Sequence, residues 1–254
     1  AGKVKLTTDK LAFVVAGGNI VLSLGGKGIL DVLPDTKLRI EVSADELSDT
    51  VESLQTSIGS DVYLLHLADQ QGGNALYFTD VITPSTPQLF VMNVWAEYVD
   101  GSQETVSSYL NVLPLGDVYQ VIDDEEMQLS GVKVTLSQVI NGSLIVWDGS
   151  PYDQYNPFIT GSNGTFGWYV PNGTYRLTTD ADHFLSSTSS EFVVNNFIVN
   201  RRVMMVAIPL LQEEESPTLI ESTTQMVQTF SSVFDNILEI PVTQTLQQAI
   251  GVLR

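Results

Sequence analysis

The chain consists largely of short runs in which apolar and polar residues alternate, and these runs end at glycine, proline, asparagine or aspartate. Alternation with a period of two is typical of β-strands with one buried face, and the residues between the runs favour tight turns. The clearest example is a hairpin over residues 88–114 that turns at Asp100-Gly101. The pattern predicts a β-rich first domain over residues 1–114.

One segment of this domain follows a different pattern. Its apolar residues recur every three or four positions, and Ser43 followed by Glu46 forms a capping box in front of them. The apolar positions are Leu47, Val51, Leu54 and Ile58. The segment is predicted to form a helix over residues 44–58, inserted between the strands.

The region from residue 117 to residue 211 returns to the strand pattern. Its turns include Asn141-Gly142 and the stretch Pro171–Gly173, which is predicted to join "GTFGWYV" to "GTYRLTT" as a hairpin. Alternation places Phe166 and Trp168 on the buried face of the first of these strands. The whole chain is therefore predicted to be mainly β, with two tandem β-sandwich-type domains.

The last segment, residues 212–254, has a third pattern. An acidic linker leads to Ser216 and Pro217, which favour a helix start, and an apolar stripe at helical spacing follows. An amphipathic helix is predicted, which packs either on its own chain or on a neighbouring copy. In the second case the chain is a filament or oligomer subunit, and the stripe supplies the contact through Phe230, Phe234, Ile237 and Leu238.

The second domain also carries the anchor residues of a known family pattern. They are Gly131, Val134, Leu136, Thr160, Gly164, Phe166, Val170, Pro171, Gly173, Tyr175, Leu177 and Phe184. With these residues the domain resembles the carboxypeptidase regulatory-like domain, a transthyretin-like (prealbumin-like) β-sandwich, and the last hairpin of the first domain looks Ig-like. The resemblance implies a non-catalytic structural or binding domain, of the kind found beside Ig-like modules in large bacterial cell-surface proteins.

The balance of charge limits the partners. The sequence has 30 acidic and 11 basic residues, which give a formal net charge of −19 at pH 7. Such a surface repels phosphate backbones and anionic membranes, so nucleic acid is excluded as a partner. No run of about 18 apolar residues occurs, so no membrane span is predicted within this segment.

Candidate catalytic chemistry is sparse. Cysteine is absent, which removes disulfides and thiolate sites. His66 and His183 are not spaced as zinc ligands, and the chain has no G-x-S-x-G nucleophile elbow. We predict no catalytic residue, no metal site, no cofactor and no enzyme activity, while calcium binding in the acidic loops stays open.

The best candidate for a binding surface is the loop "DGSPYDQYNP". Tyr152, Tyr155 and Phe158 lie in or directly after it, and aromatic side chains on loops are typical contacts for sugars and proteins. We therefore predict a non-catalytic structural or adhesion segment of an extracellular cell-surface protein, acting as a spacer or interaction module. A carbohydrate- or protein-binding module that uses residues 150–158 is one alternative, and the filament or oligomer subunit is the other. The expected partners are a protein or glycan at the cell surface, or a second copy.

Overall fold

A computed structural model of the chain describes residues 6–47, 50–68 and 75–209. These residues are mainly β, as predicted, and those up to Ile208 form one compact unit. The helices among them are single 3-10 turns at Thr8–Lys10, Ala16–Gly18, Gly26–Gly28, Ala44–Glu46 and Ser150–Tyr152. The predicted C-terminal amphipathic helix, with its contact residues, lies outside the described residues.

The inserted helix predicted over residues 44–58 is wrong. Only a 3-10 turn, Ala44–Glu46, forms behind Ser43, and the Ser43 side chain makes no capping hydrogen bond. Residues Val51–Ile58 form strand β5, which pairs on both sides with other strands. The segment is therefore an interior strand of a sheet.

The N-terminal lobe, residues 6–113, contains two five-stranded sheets. Its strands are β1 Leu11–Val15, β2 Ile20–Leu22, β3 Ile29–Val32, β4 Lys37–Ser43, β5 Val51–Ile58, β6 Asp61–Leu64, β7 His66–Ala68, β8 Leu76–Ile82, β9 Leu89–Tyr98 and β10 Gln103–Val112. The first sheet has the order β2-β1-β4-β8-β7 and the second the order β3-β10-β9-β5-β6. Alternate residues of both sheets, such as Ile40 and Val94, are fully buried in one hydrophobic core, as in a β-sandwich.

The C-terminal lobe, residues 116–208, is built from shorter strands around a second core. They are β11 Gly116–Ile122, β12 Glu125–Gln128, β13 Lys133–Ile140, β14 Ser143–Val146, β15 Phe158–Ile159, β16 Thr165–Phe166, β17 Trp168–Tyr169, β18 Gly173–Asp180, β19 Ser187–Thr188, β20 Phe192–Val194, β21 Ile198–Val199 and β22 Val203–Met204. The largest sheet has the order β14-β13-β18-β19, with β15 on β13 and β20 on β18. A second sheet joins β11 to β12, β16 and β22, and β17 pairs with β21.

The predicted core of this lobe is confirmed, but the predicted hairpin is not. Phe166, Trp168, Tyr175 and Leu177 are each at most 1% exposed. However, β17 pairs with β21 and β18 pairs with β13, so the strands on either side of Pro171 do not pair with each other. The turn carries the chain from one sheet to another.

The two lobes share buried side chains at their junction. Tyr169 and Ile198 of the C-terminal lobe belong to the hydrophobic core of the N-terminal lobe. The Tyr169 hydroxyl accepts a buried hydrogen bond from the Leu33 backbone N–H at 2.7 Å. The Asn200 side chain donates to the Pro114 carbonyl at 2.9 Å, which fixes the connection between the lobes.

Glycine is required at this junction because the backbones approach closely. A Cβ at Gly167 would lie 2.9 Å from the Leu115 side chain and 3.2 Å from the Leu33 side chain. A Cβ at Gly116 would overlap the backbone of Arg201. The junction is therefore packed tightly on both sides of the connection.

Candidate functional site

A cleft of about 910 Å³ lies where the two lobes meet. Its floor on the N-terminal lobe is the outward face of the first sheet, including Val21, Arg39 and Glu41. Its opposite wall is the C-terminal lobe between β14 and β17, including Tyr152 and Phe158. Residues that are far apart in the sequence therefore line one site.

The N-terminal side of the cleft carries an ion-pair network centred on Asp80. Arg39 donates two hydrogen bonds to the Asp80 carboxylate, from Nε to Oδ1 at 2.7 Å and from Nη2 to Oδ2 at 3.1 Å. Lys37 Nζ lies 2.9 Å from Asp80 Oδ2. The hydrogen bond from Arg39 is the main cause that lowers the pKa of Asp80 to about 2. Asp80 is therefore ionised and paired at neutral pH.

Glu41 lies two residues from Arg39 on the same face of β4. Loss of hydration on partial burial raises the pKa of its carboxyl above the usual range, and the positive charge of Arg39 partly opposes this shift. The Arg39 guanidinium also lies 4.6 Å from the centre of the Phe78 ring. This side of the cleft thus offers paired charges together with the carboxyl groups of Asp35 and Glu41.

The opposite wall presents two of the three aromatic residues predicted from the sequence. Tyr152 is half-buried and stacks on Trp147, with ring centres 5.5 Å apart. Phe158 is half-buried and meets Trp168 edge to face at 6.1 Å. Tyr155 is 84% exposed and does not line the cleft. The structure therefore brings Tyr152 and Phe158 together at one site and separates Tyr155 from them.

Hydrogen bonds hold the aromatic loop in place. The Gln154 side chain accepts from the Tyr169 N–H at 2.8 Å and donates to the Tyr169 carbonyl at 2.6 Å. The Asn156 side chain accepts from the Leu136 N–H at 2.9 Å and donates to the Leu136 carbonyl at 2.7 Å. At the rim, the Asn19 amide donates to the Pro151 carbonyl. The loop is tied to both lobes, so the cleft is preformed.

Sequence reasoning missed most of the residues that define this site. Alternation predicts that Tyr169 faces away from Trp168, but it does not reveal that this second face is also covered: Tyr169 is 3% exposed in the core of the N-terminal lobe, and burial raises its pKa to about 12. Arg39, Glu41 and Asp80 follow an ordinary alternating pattern, as outward-facing residues of strands whose other face is buried. The alternating pattern of β4 indicates only that the Arg39 and Glu41 side chains face away from the core.

The remaining sequence candidates do not form a site in the described part of the chain. No group of three or more histidine, aspartate or glutamate residues there is arranged to hold a metal ion. His66 is exposed on β7. The helices in residues 6–47, 50–68 and 75–209 are too short to cross a membrane.

Of the comparisons with known proteins, only the one with solved structures found similar chains, and the similarity is distant. No family model matches the chain. No curated protein matches it either. Similar solved structures include SGBP-B of a mixed-linkage glucan utilization locus in Bacteroides ovatus, in complex with a mixed-linkage heptasaccharide. It is 11% identical with a TM-score of 0.25, and the match covers 72% of this chain and 46% of that one.

The major pilin subunit of Bacillus cereus is also similar. A variant of it is 9% identical with a TM-score of 0.23, over 76% of this chain and 68% of the pilin. The unmodified pilin is 10% identical with a TM-score of 0.20, over 76% of each chain. This chain spans less than half the length of the glucan-locus protein. Similarities this distant carry no argument about function, which must rest on the site itself.

Proposed function

We propose that this chain is a non-catalytic structural segment of an extracellular cell-surface protein, in which it works as a stiff spacer. The observation that carries the proposal is the junction, where Tyr169 of one lobe is buried in the core of the other. Domains joined by a short connection alone generally move relative to each other. A shared core restricts that motion, so the two lobes keep a defined geometry under load.

The chemistry of the cleft supports a non-catalytic role. Asp80 is held ionised by Arg39 and Lys37, so it is not available to exchange protons near neutral pH. The surface location is supported by the resemblance of the second domain to carboxypeptidase regulatory-like domains of bacterial cell-surface proteins. That family assignment, with domains at 1–114 and 117–211, is part of the proposal.

The spacer proposal predicts one cooperative unfolding transition for the whole described unit. In differential scanning calorimetry of the full chain, the calorimetric and van't Hoff enthalpies are expected to agree. Tyr169→Phe removes the hydroxyl that accepts from the Leu33 N–H and leaves a buried donor unpaired, at a cost of about 1–3 kcal/mol. Because this bond joins the lobes, the variant is expected to unfold in two resolved transitions.

Tyr175→Phe is the matched control. It also removes a tyrosine hydroxyl, but this one donates to the Pro171 carbonyl at 2.8 Å within the C-terminal lobe. The control should lower the transition temperature and keep a single transition. Two independent transitions in the unmodified chain would contradict the stiff-spacer proposal. Failure of antibodies against the chain to label intact source cells would contradict the surface location.

The cleft favours a second candidate function, a binding module that uses residues 150–158. Lys37 and Arg39 are already paired with Asp80, and the lining also contains Asp35, Glu41 and Asp153, so anionic ligands are disfavoured. Half-exposed aromatic rings facing paired charges suit a neutral polyhydroxylated ligand, which stacks on rings and bonds through hydroxyl groups. The proposed ligand is a neutral glycan, and Tyr152 and Phe158 are the proposed contact residues.

The binding function can be tested on a printed array of neutral oligosaccharides, with hits measured by titration calorimetry. Tyr152→Ala is expected to weaken binding by about tenfold or more, because an aromatic contact in a binding cleft contributes over 1 kcal/mol. Tyr155→Ala is the control and should bind unchanged, since Tyr155 does not line the cleft. An array without hits, or equal losses in both variants, would reject the cleft as the binding site.

A further inference from the structure

The dipeptide Asn-Gly occurs three times in the chain, at Asn141, Asn163 and Asn172, and all three asparagines are exposed. In this dipeptide the backbone nitrogen of the glycine can attack the side-chain carbonyl carbon of the asparagine, since glycine has no side chain that hinders the approach. The attack requires the backbone to leave its turn conformation. The surrounding structure therefore decides which of the three dipeptides reacts.

The fold holds Asn163-Gly164 in place. The Asn163 side-chain oxygen accepts from the Thr165 N–H at 3.3 Å, and the Gly164 N–H donates to the Gly161 carbonyl at 3.0 Å. Gly164 is buried, and a Cβ there would lie 2.8 Å from the Val118 carbonyl oxygen. The attacking nitrogen is thus hydrogen-bonded, and the backbone has no room to rotate.

Asn172-Gly173 is held by the strand that follows it. Gly173 is the first residue of β18 and pairs with Val194. On the other side of Asn172, the Pro171 carbonyl accepts from the Tyr175 hydroxyl at 2.8 Å. Rotation of this dipeptide would break the end of the sheet.

The surroundings of Asn141-Gly142 are open. The pair forms the two-residue turn between β13 and β14, with positive φ angles of 52° and 78°. Both residues are exposed, and a Cβ on Gly142 would meet no atom of the described residues within 4 Å. Strand β18 pairs with β13 only as far as Gln138, whereas β14 pairs with it up to Ile140. The tip is therefore a two-stranded ribbon, which is marginally stable in water and opens at low free energy.

We propose that Asn141 is a site of spontaneous deamidation. The Gly142 nitrogen, once it has lost its proton, bonds to Cγ of Asn141, and the side-chain nitrogen leaves as ammonia with a proton taken from water. Water then opens the resulting cyclic imide at either of its two carbonyl groups, which gives aspartate or isoaspartate. The net reaction consumes one water and releases one ammonia, and it needs no oxidant, enzyme or cofactor.

The modification changes the hairpin in two ways. Either product places a negative charge in a segment that has no charged residue from Val134 to Trp147. Isoaspartate also adds a methylene group to the main chain, so the turn no longer fits the register that places Ile140 opposite Ser143. The disturbance is expected to end before Trp147, whose carbonyl accepts from the Asn156 side chain at 2.6 Å.

Peptide mapping by mass spectrometry tests the proposal, because each event replaces an NH2 group by OH and so raises the mass of the peptide. The folded full chain is incubated at pH 8 and sampled over time. The Asn141 peptide should convert at least about tenfold faster than the Asn163 and Asn172 peptides, which are matched controls in the same molecule. Conversion should also accelerate as the pH rises, because the attacking nitrogen must lose its proton.

A parallel incubation in urea separates the effect of the fold from that of the dipeptide. In the unfolded chain the three sites should convert at similar rates, and Asn141→Asp supplies the aspartate product as a chromatographic standard. Conversion of Asn141 in the folded chain that is no faster than at the other two sites would overturn the proposal. Conversion of Asn141 in urea alone would also overturn it, since the turn would then protect the site. Neither result bears on the cleft or on the junction between the lobes.

Discussion

At the scale of single residues, the charge state of a side chain depends on which partner it contacts in the fold. Asp80 and Arg39 lie on the outward face of the interior strands β8 and β4, and nothing in their local sequence distinguishes them from other surface charges. The sheet places them on neighbouring strands in register, so that the guanidinium bonds both carboxylate oxygens. The depressed pKa of Asp80 follows from this pairing.

Asp80 makes the stability of the N-terminal lobe depend on pH in the acid range. Its pKa of about 2 in the folded chain lies below the ordinary value of 3.8. The ion pair therefore stabilises the fold fully above about pH 4, and this contribution is lost as the pH falls through about 2. Because the pair is partly exposed, Asp80→Asn should reduce the free energy of unfolding at pH 7 by less than about 1 kcal/mol.

Chemical denaturation at pH 7 and pH 2.5 measures this effect. The difference between Asp80→Asn and the natural chain should shrink at the lower pH. Asp124→Asn is the control, because Asp124 lies in an exposed turn with a φ of 63° that asparagine also tolerates. A deficit for Asp80→Asn that is equal at the two pH values would show that the ion pair does not contribute.

At the scale of elements, the spacing of the apolar residues in the segment 44–58 is compatible with a helix and also with a strand. Leu54 and Ile58 are four residues apart, and positions four apart share a face in a helix and also in a strand. What distinguishes the two is Thr56, which a helix would place away from the apolar stripe. In the structure Thr56 is fully buried, and its hydroxyl donates to the Asn93 carbonyl at 3.0 Å. Because the buried residue Thr56 is polar, the alternation of buried and exposed positions in β5 is not visible as an alternation of apolar and polar residues.

Thr56→Lys distinguishes these structures experimentally. In the strand, the lysine would place an unpaired charge in the core, and we expect a loss of about 3 kcal/mol or more, or failure to fold. Gln55→Lys is the control, since Gln55 lies on the outward face of β5 and should cost less than about 1 kcal/mol. Urea denaturation monitored by circular dichroism gives both values. A small effect of Thr56→Lys would contradict the strand.

At the scale of the whole molecule, the junction and the cleft arise from contacts over long separations in the sequence. Leu33 and Tyr169 are 136 residues apart, and the pair becomes visible only when both lobes are folded. The same packing brings the loop at Tyr152 over the sheet that carries Arg39. Both the proposed spacer function and the proposed binding function depend on this arrangement, so the loss of cooperativity expected for Tyr169→Phe is the most informative single measurement.

The sequence by itself determined the mainly β class, the turn at Asn141-Gly142 and the core positions of Phe166 and Trp168. Each of these follows from local chemistry, namely alternation, positive φ at turns and the burial of large aromatic rings. It also identified Tyr152 and Phe158 as neighbours in a loop.

Only the tertiary structure decided which strands pair, that residues 51–58 are a strand, and that Tyr169 is buried between the lobes. It also decided that the loop at Tyr152 faces Arg39 and Glu41, and that β14 lies at an edge of its sheet within the described residues. The physical reason is that hydrogen bonding between strands and packing between sheets join residues without regard to their separation along the chain. A periodic pattern specifies a buried face, but the partner that covers this face is chosen by the fold as a whole.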